Sequence, residues 1–239
     1  MPSSAQEVIE SYHNVYLTEI GWNCSLVIQA CQDLFKLYPV EETSIKRYIA
    51  NSPEAHELIS RIYSSASIVS KFLMPKGRAT NEREVAYQFR NRRGEHLRSI
   101  VNVPIPEMRR TQLRNSLEHL DEKLDEHFRR LIGSPDTDLE SLLYNFVFSH
   151  RDFLDILDPR ISSNSTLIRA YISSEEVFLN LNSDLNIRGI YNEAVSITEV
   201  IPTLLPASEV GAYSYIRLGS KRPPDGEESS SGGPDGGPP

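Results

Sequence analysis

The sequence predicts a mainly α protein, a helical bundle followed by a small β-hairpin and one further helix. Three observations point there. Apolar residues recur at helical spacing through most of the first 150 positions. Start and stop signals such as Ser52-Pro53-Glu54 and Pro75-Lys76-Gly77 bracket those stretches. Beyond Asp158-Pro159 the pattern changes to short runs of β-branched and aromatic residues around a turn.

The first helix is expected over 5–38, capped by Ser3 or Ser4, stopped by Pro39 and broken near Gly21. Its apolar stripe includes Ile9, Tyr16, Ile20, Val27, Cys31 and Phe35. The second is signalled by a capping serine, a proline at the first helical position and an acid near the positive end of the dipole. Leu58, Ile62, Val69 and Leu73 form its buried stripe. A third is expected from Thr80 through Val101 with a bend near Gly94, and a fourth from Pro106 to Gly133. In the fourth, Leu113, Leu117, Leu120, Leu124, Phe128 and Leu131 fall within about 80° of arc, so one face packs into a core. Residues 138–148 read as another helix.

Strands are expected over 165–172 and 177–181 with a turn at Ser173-Ser174-Glu175, then a last helix over 186–205. From residue 218 the composition is Gly, Pro, Ser and acid, too poor in apolar surface to offset its ordering entropy, and disorder is expected. The implied organisation is 1–158 helical bundle, 159–217 hairpin-and-helix appendage and 218–239 tail.

Composition narrows the function classes. A 39% hydrophobic content supplies a core, and no run approaches the roughly 18–20 apolar residues that span a bilayer, so no membrane partner is expected. The N-terminus lacks the basic and apolar regions of a signal peptide, which points to the cytoplasm. Cys24 and Cys31 lie seven apart in one helix, about 10 Å along its axis, too far for a disulfide within it; they read as small apolar residues. The net charge of −8 argues against coating nucleic acid indiscriminately, yet residues 76–130 hold 13 Lys/Arg against 9 Asp/Glu. A local basic patch on an acidic protein can steer a polyanion to one place. Arginines interleaved with carboxylates are equally a solvated helix face.

Within the fourth helix, Arg114, Asn115 and His119 all lie off the leucine stripe. Asn115 and His119 are four apart, so the amide can touch and orient the imidazole. A histidine suits removal of a 2′-hydroxyl proton, and a guanidinium suits the charge that develops on a phosphorus centre. The alternative is a salt-bridged surface helix containing Glu118, Glu122 and Lys123.

An arginine followed by a polar residue, with a histidine five positions after the arginine, resembles the signature of the HEPN superfamily. Arg93-Gly94-Glu95-His96-Leu97-Arg98 and His119-Leu120-Asp121-Glu122 add to the likeness with bacterial members. The resemblance covers residues 5–150 in architecture and only a few positions in letters. It implies a HEPN-like helical bundle acting as a metal-independent endoribonuclease of toxin–antitoxin or phage-defence type. It also implies a homodimer whose interface brings together Arg114 and His119 of both copies as the catalytic pair, with Asn115 and Glu118 supporting. RNA is the implied substrate, an antitoxin protein a further partner, and Arg93, Arg98 and His96 a phosphate-binding set. Members paired with nucleotidyltransferase antitoxins carry a tyrosine two residues after the histidine; Asp121 stands there, which puts that control in doubt.

The rival is a non-catalytic module of the same shape that binds a nucleotide, RNA or protein. No metal site or cofactor is expected: of the Glu-x-x-His units a bundle di-metal centre requires, only Glu10 to His13 fits. His13, His56 and His150 are isolated and read as structural. Nothing resembles a glycine-rich phosphate loop, a nucleophile elbow or a reactive-cysteine setting.

Overall fold

In the computed structural model the described residues are 5–40, 47–110, 122, 124–126, 128–129, 141–153, 165–167, 169–180 and 183–205. They are mainly α-helical, with a small mixed sheet. The long helices are α1 (Ala5–Leu37), α2 (Pro53–Leu73), α3 (Glu84–Val101) and α4 (Ile187–Leu204).

Local chemistry explains the helix ends. Ser52 precedes α2 and its side chain accepts from the Ala55 N–H at 3.2 Å, with Pro53 at the first position, where its missing N–H costs nothing. Asn186 does the same for α4, its Oδ1 accepting from the Gly189 N–H at 2.8 Å. Helix α3 ends on Asn102 in the left-handed region (φ 48°), whose N–H returns to the Arg98 carbonyl. The first helix runs unbroken through Gly21, contrary to expectation. A Cβ at Gly21 would meet Ile201 Cδ1 at 3.4 Å, an ordinary van der Waals contact, so Gly21 lies against α4 without being required by it. Helix α3 is also unbroken at Gly94, and it starts four residues later than expected.

Two sheets contain seven strands among the described residues: β1 (Ile49–Asn51), β2 (Ser141–Leu143), β3 (Phe146–Phe148), β4 (Ser165–Leu167), β5 (Arg169–Ile172), β6 (Val177–Asn180) and β7 (Ser183–Asn186). The larger has the order β1-β3-β5-β6-β7, with β3 and β5 parallel and the other pairs antiparallel; β2 and β4 form a parallel pair. The helix expected over 138–148 is thus corrected to strands where it is described. Asn145 in the left-handed region (φ 61°) separates β2 from β3 and stops a helix from passing. Strand β3 finds its partners at residues 49–51 and 170–172, far away in the chain.

One buried cluster spans α1, α2, the end of α3, the sheet and α4, with Leu17, Val27, Ile62, Leu97, Tyr171, Phe178 and Ile197 among its members. Arg188 in the first turn of α4 lies 4.0 Å over the Phe35 ring and pairs with Glu176, which occupies the left-handed region (φ 51°) in the β5–β6 turn. That links α1, α4 and the sheet through one side chain. Glu122, residues 124–126, Phe128 and Arg129 are helical, and Leu124 and Phe128 are half-buried. The rest of the leucine stripe, the boundary at 158/159 and the tail 218–239 lie outside the described residues.

Candidate nucleic-acid interface

Helix α3 approaches the C-terminal end of α2 so closely that a Cβ on Gly94 would lie 2.4 Å from Pro75 Cδ. The last carbonyls of a helix have no partner within it, and they are obligatory acceptors. Two arginines of α3 fill that need, and a third bonds the chain just beyond α2. Arg93 Nη2 donates to the Lys71 carbonyl at 3.1 Å, Arg98 Nη1 to the Leu73 carbonyl at 2.6 Å, and Arg90 Nη1 to the Lys76 carbonyl at 2.7 Å. The Arg93 guanidinium also lies 5.4 Å and 5.1 Å from the rings of Tyr16 and Phe72, and burial lowers its pKa from the ordinary value. Arg90 is further held by Glu82, at 2.6 Å.

The residues expected to bind phosphate are therefore placed as follows. Arg93 is engaged by α2 and two aromatic rings. Arg98 is engaged through Nη1, which also contacts the Met74 sulfur at 3.4 Å. His96 meets His13 of α1 edge to face, with ring centroids 5.9 Å apart. Arg114, Asn115, Glu118 and His119 lie outside the described residues.

An open groove of about 530 Å³ runs beside this junction, lined by Ser70, Met74, Pro75, Lys76, Asn91, Arg98 and Arg109. That volume falls within the roughly 300–1,000 Å³ of small-ligand sites. Among the described residues its polar lining is three cations, an amide and a hydroxyl; Asn91 Nδ2 donates to Glu95 at 2.9 Å. Two grooves of similar size differ. One, about 510 Å³, mixes Asp33, Glu54 and Glu57 with Lys36 and Arg61; the other, about 530 Å³, contains the Glu176–Arg188 pair and Lys36. Among these three, the α2–α3 groove is the one whose described lining residues include cations and no carboxylate. Its lining is suited to an anion with several oxygens. Sequence reasoning singled out Arg98 but missed Ser70, Lys76, Asn91 and Arg109, which the close packing at Gly94 and the 105–110 turn bring to one place.

That turn is itself anchored. The carboxylate of Glu193 on α4 accepts from the backbone N–H of Glu107 at 2.7 Å and of Met108 at 2.9 Å. Arg110 donates to Glu107 and to Asp184, joining the turn to β7. Burial raises the Glu193 pKa, although both N–H bonds pull the other way. The chain thus leaves a fixed turn at Arg110, four residues before Arg114.

Another buried polar group lies near the start of α2. His56 is 5% exposed, its ring stands 5.9 Å from that of Phe178, and neither ring nitrogen makes a hydrogen bond of good geometry. Burial, chiefly, lowers its pKa to about 4; the positive charge of Arg169 adds to this, and the nearby backbone of Phe146 and Asn145 opposes it.

Among the described residues, no three or more His, Cys, Asp or Glu side chains come together as a metal site, and no helix is long and apolar enough to cross a membrane. No family model, curated protein or solved structure matches the chain.

Proposed function

We propose that this chain is a HEPN-like, metal-independent endoribonuclease of toxin or phage-defence type. It acts in the cytosol as a homodimer in which Arg114 and His119 of each copy share one cleft, and a toxin of this kind has an antitoxin protein as a further partner. One observation carries the proposal: the sequence spacing puts Arg114, its polar neighbour Asn115 and His119, four residues beyond that neighbour, all off the leucine stripe of one amphipathic segment, with Arg114 about 140° round from His119 on an ideal helix. The turn that Glu193 and Arg110 fix lends support, because a catalytic segment needs a rigid platform.

His119 takes the proton of the ribose 2′-hydroxyl, and the 2′-oxygen attacks phosphorus. Arg114 stabilises the added charge, the bond to the 5′-oxygen breaks, and that oxygen takes up a proton from imidazolium or water. The products are a 2′,3′-cyclic phosphate and a 5′-hydroxyl. The test is cleavage of labelled RNA by purified full-length protein in the presence of EDTA. His119→Ala and Arg114→Ala are each expected to slow cleavage by about 10²–10⁴-fold while leaving the far-UV circular dichroism intact. Unchanged rates in both variants refute the proposal. The α2–α3 groove favours the non-catalytic rival to the extent of binding alone, and RNA affinity without cleavage by the wild type would select it.

A further inference from the structure

We infer that the junction of α2 with the 105–110 turn is a binding site for one ordered water, held between the hydroxyls of Tyr63 and Ser67. The inference stands apart from the ribonuclease reading. A cavity of about 20 Å³ lies between α2, the turn, β7 and α4, with Tyr63 and Ser67 in its wall. A water requires roughly 10–15 Å³ of such space and at least two polar partners. The cavity therefore admits a water and excludes any larger ligand.

The two partners are fixed by different means. Tyr63 is buried, and its ring meets that of Phe178 edge to face at 5.7 Å, so the side chain has little freedom. Its hydroxyl is buried too and has no hydrogen-bond partner among the described residues. Burial pushes the pKa of that hydroxyl well up; the charges of Arg110 and Glu107, both in the cavity wall, act on it in opposite senses. Ser67 lies four residues on, on the same face of the helix. A helical serine commonly bonds the carbonyl four residues before it. Ser60 and Ser64 do so, to the His56 carbonyl at 2.8 Å and the Ser60 carbonyl at 2.9 Å. The buried Ser67 Oγ makes no such bond. Each hydroxyl both donates and accepts, and the apolar part of the wall, Ala66, Leu185 and Ile190, offers neither a partner. A water bridging them satisfies both.

The experiment compares full-length wild type with Tyr63→Phe, Ser67→Ala and the double variant, by urea unfolding and by oxygen-17 relaxation dispersion, which counts long-held waters. Each single substitution takes a partner from the water and is expected to raise the unfolding equilibrium constant by about two- to tenfold. The double variant is expected to raise it by less than the product of the two, because both hydroxyls serve one water. Its cavity is apolar on the α2 side and dry, so the dispersion should show one long-held water fewer than wild type. An unchanged water count overturns the inference. So does a Tyr63→Phe protein as stable as wild type or more so, the result expected if the hydroxyl is simply bare.

Discussion

His56 offers a direct measurement of what a buried neutral imidazole does to this fold. In the unfolded chain its pKa is near the ordinary 6.5; in the folded protein burial holds it to about 4. Between pH 8 and 5 the unfolded ring gains almost a full proton and the folded ring stays neutral, so stability falls with pH across that window. At about 1.36 kcal/mol per pH unit below 6.5, the loss at pH 5 is about 2 kcal/mol. It is complete only below pH 4. Glu193, raised by burial, moves stability in the opposite direction on acidification, and surface carboxylates contribute as well. The comparison therefore needs His56→Phe, which fills the same space beside Phe178 and Tyr63 and removes two unbonded polar atoms. Urea unfolding of both proteins, followed by helical circular dichroism, is the assay; Trp22 is 66% exposed and is a poor reporter of the core. The difference in stability, wild type minus variant, is expected to fall by about 2 kcal/mol from pH 8 to pH 5. A flat difference, or a His56 ring resonance titrating near 6.5 in the native state, refutes the reasoning.

Other consequences follow from particular contacts. Gly94→Ala places a methyl group 2.4 Å from Pro75 Cδ; it should lower stability by about 1–3 kcal/mol in thermal or urea unfolding, despite alanine's better helix propensity. Glu193→Ala removes the acceptor of two backbone N–H groups and should cost about 1–3 kcal/mol for each donor left dry, whereas Glu193→Gln retains an acceptor and should cost less in the same assay. Cys24 and Cys31 are buried, with the Cys24 thiol pushed up to about 12 and Cys31 higher still, so neither should react with a thiol reagent at pH 8 until denaturant is added.

Sequence patterns located the helices well where the signal is local. Ser52-Pro53 marks the start of α2 because the capping oxygen and its target N–H are three residues apart. The two glycines are different. Gly21 and Gly94 weaken helix propensity, and were read as a break and a bend; in the fold they are the places where Ile201 and Pro75 come closest. At Gly94 the reason for being small is Pro75, more than 15 residues away and beyond the reach of any local window. The same holds for residues 141–148. Leu143, Phe146 and Val147 fit a helical stripe as well as a strand, and what decides is the parallel register of β3 with β5, set by residues 170–172. The candidate catalytic pair, Arg114 and His119, lies outside the described residues.

The arginines of α3 show why charge patterning alone gave an even choice between a phosphate-binding face and a solvated one. Neither describes Arg90 and Arg93. They supply donors to carbonyls that α2 and the chain after it leave unpaired, and a guanidinium bound in that way is not available to a ligand without exposing those carbonyls. What matters for a polyanion is the charge left after such capping is subtracted, and on α3 that subtraction removes Arg90 and Arg93 first and takes Nη1 of Arg98 as well.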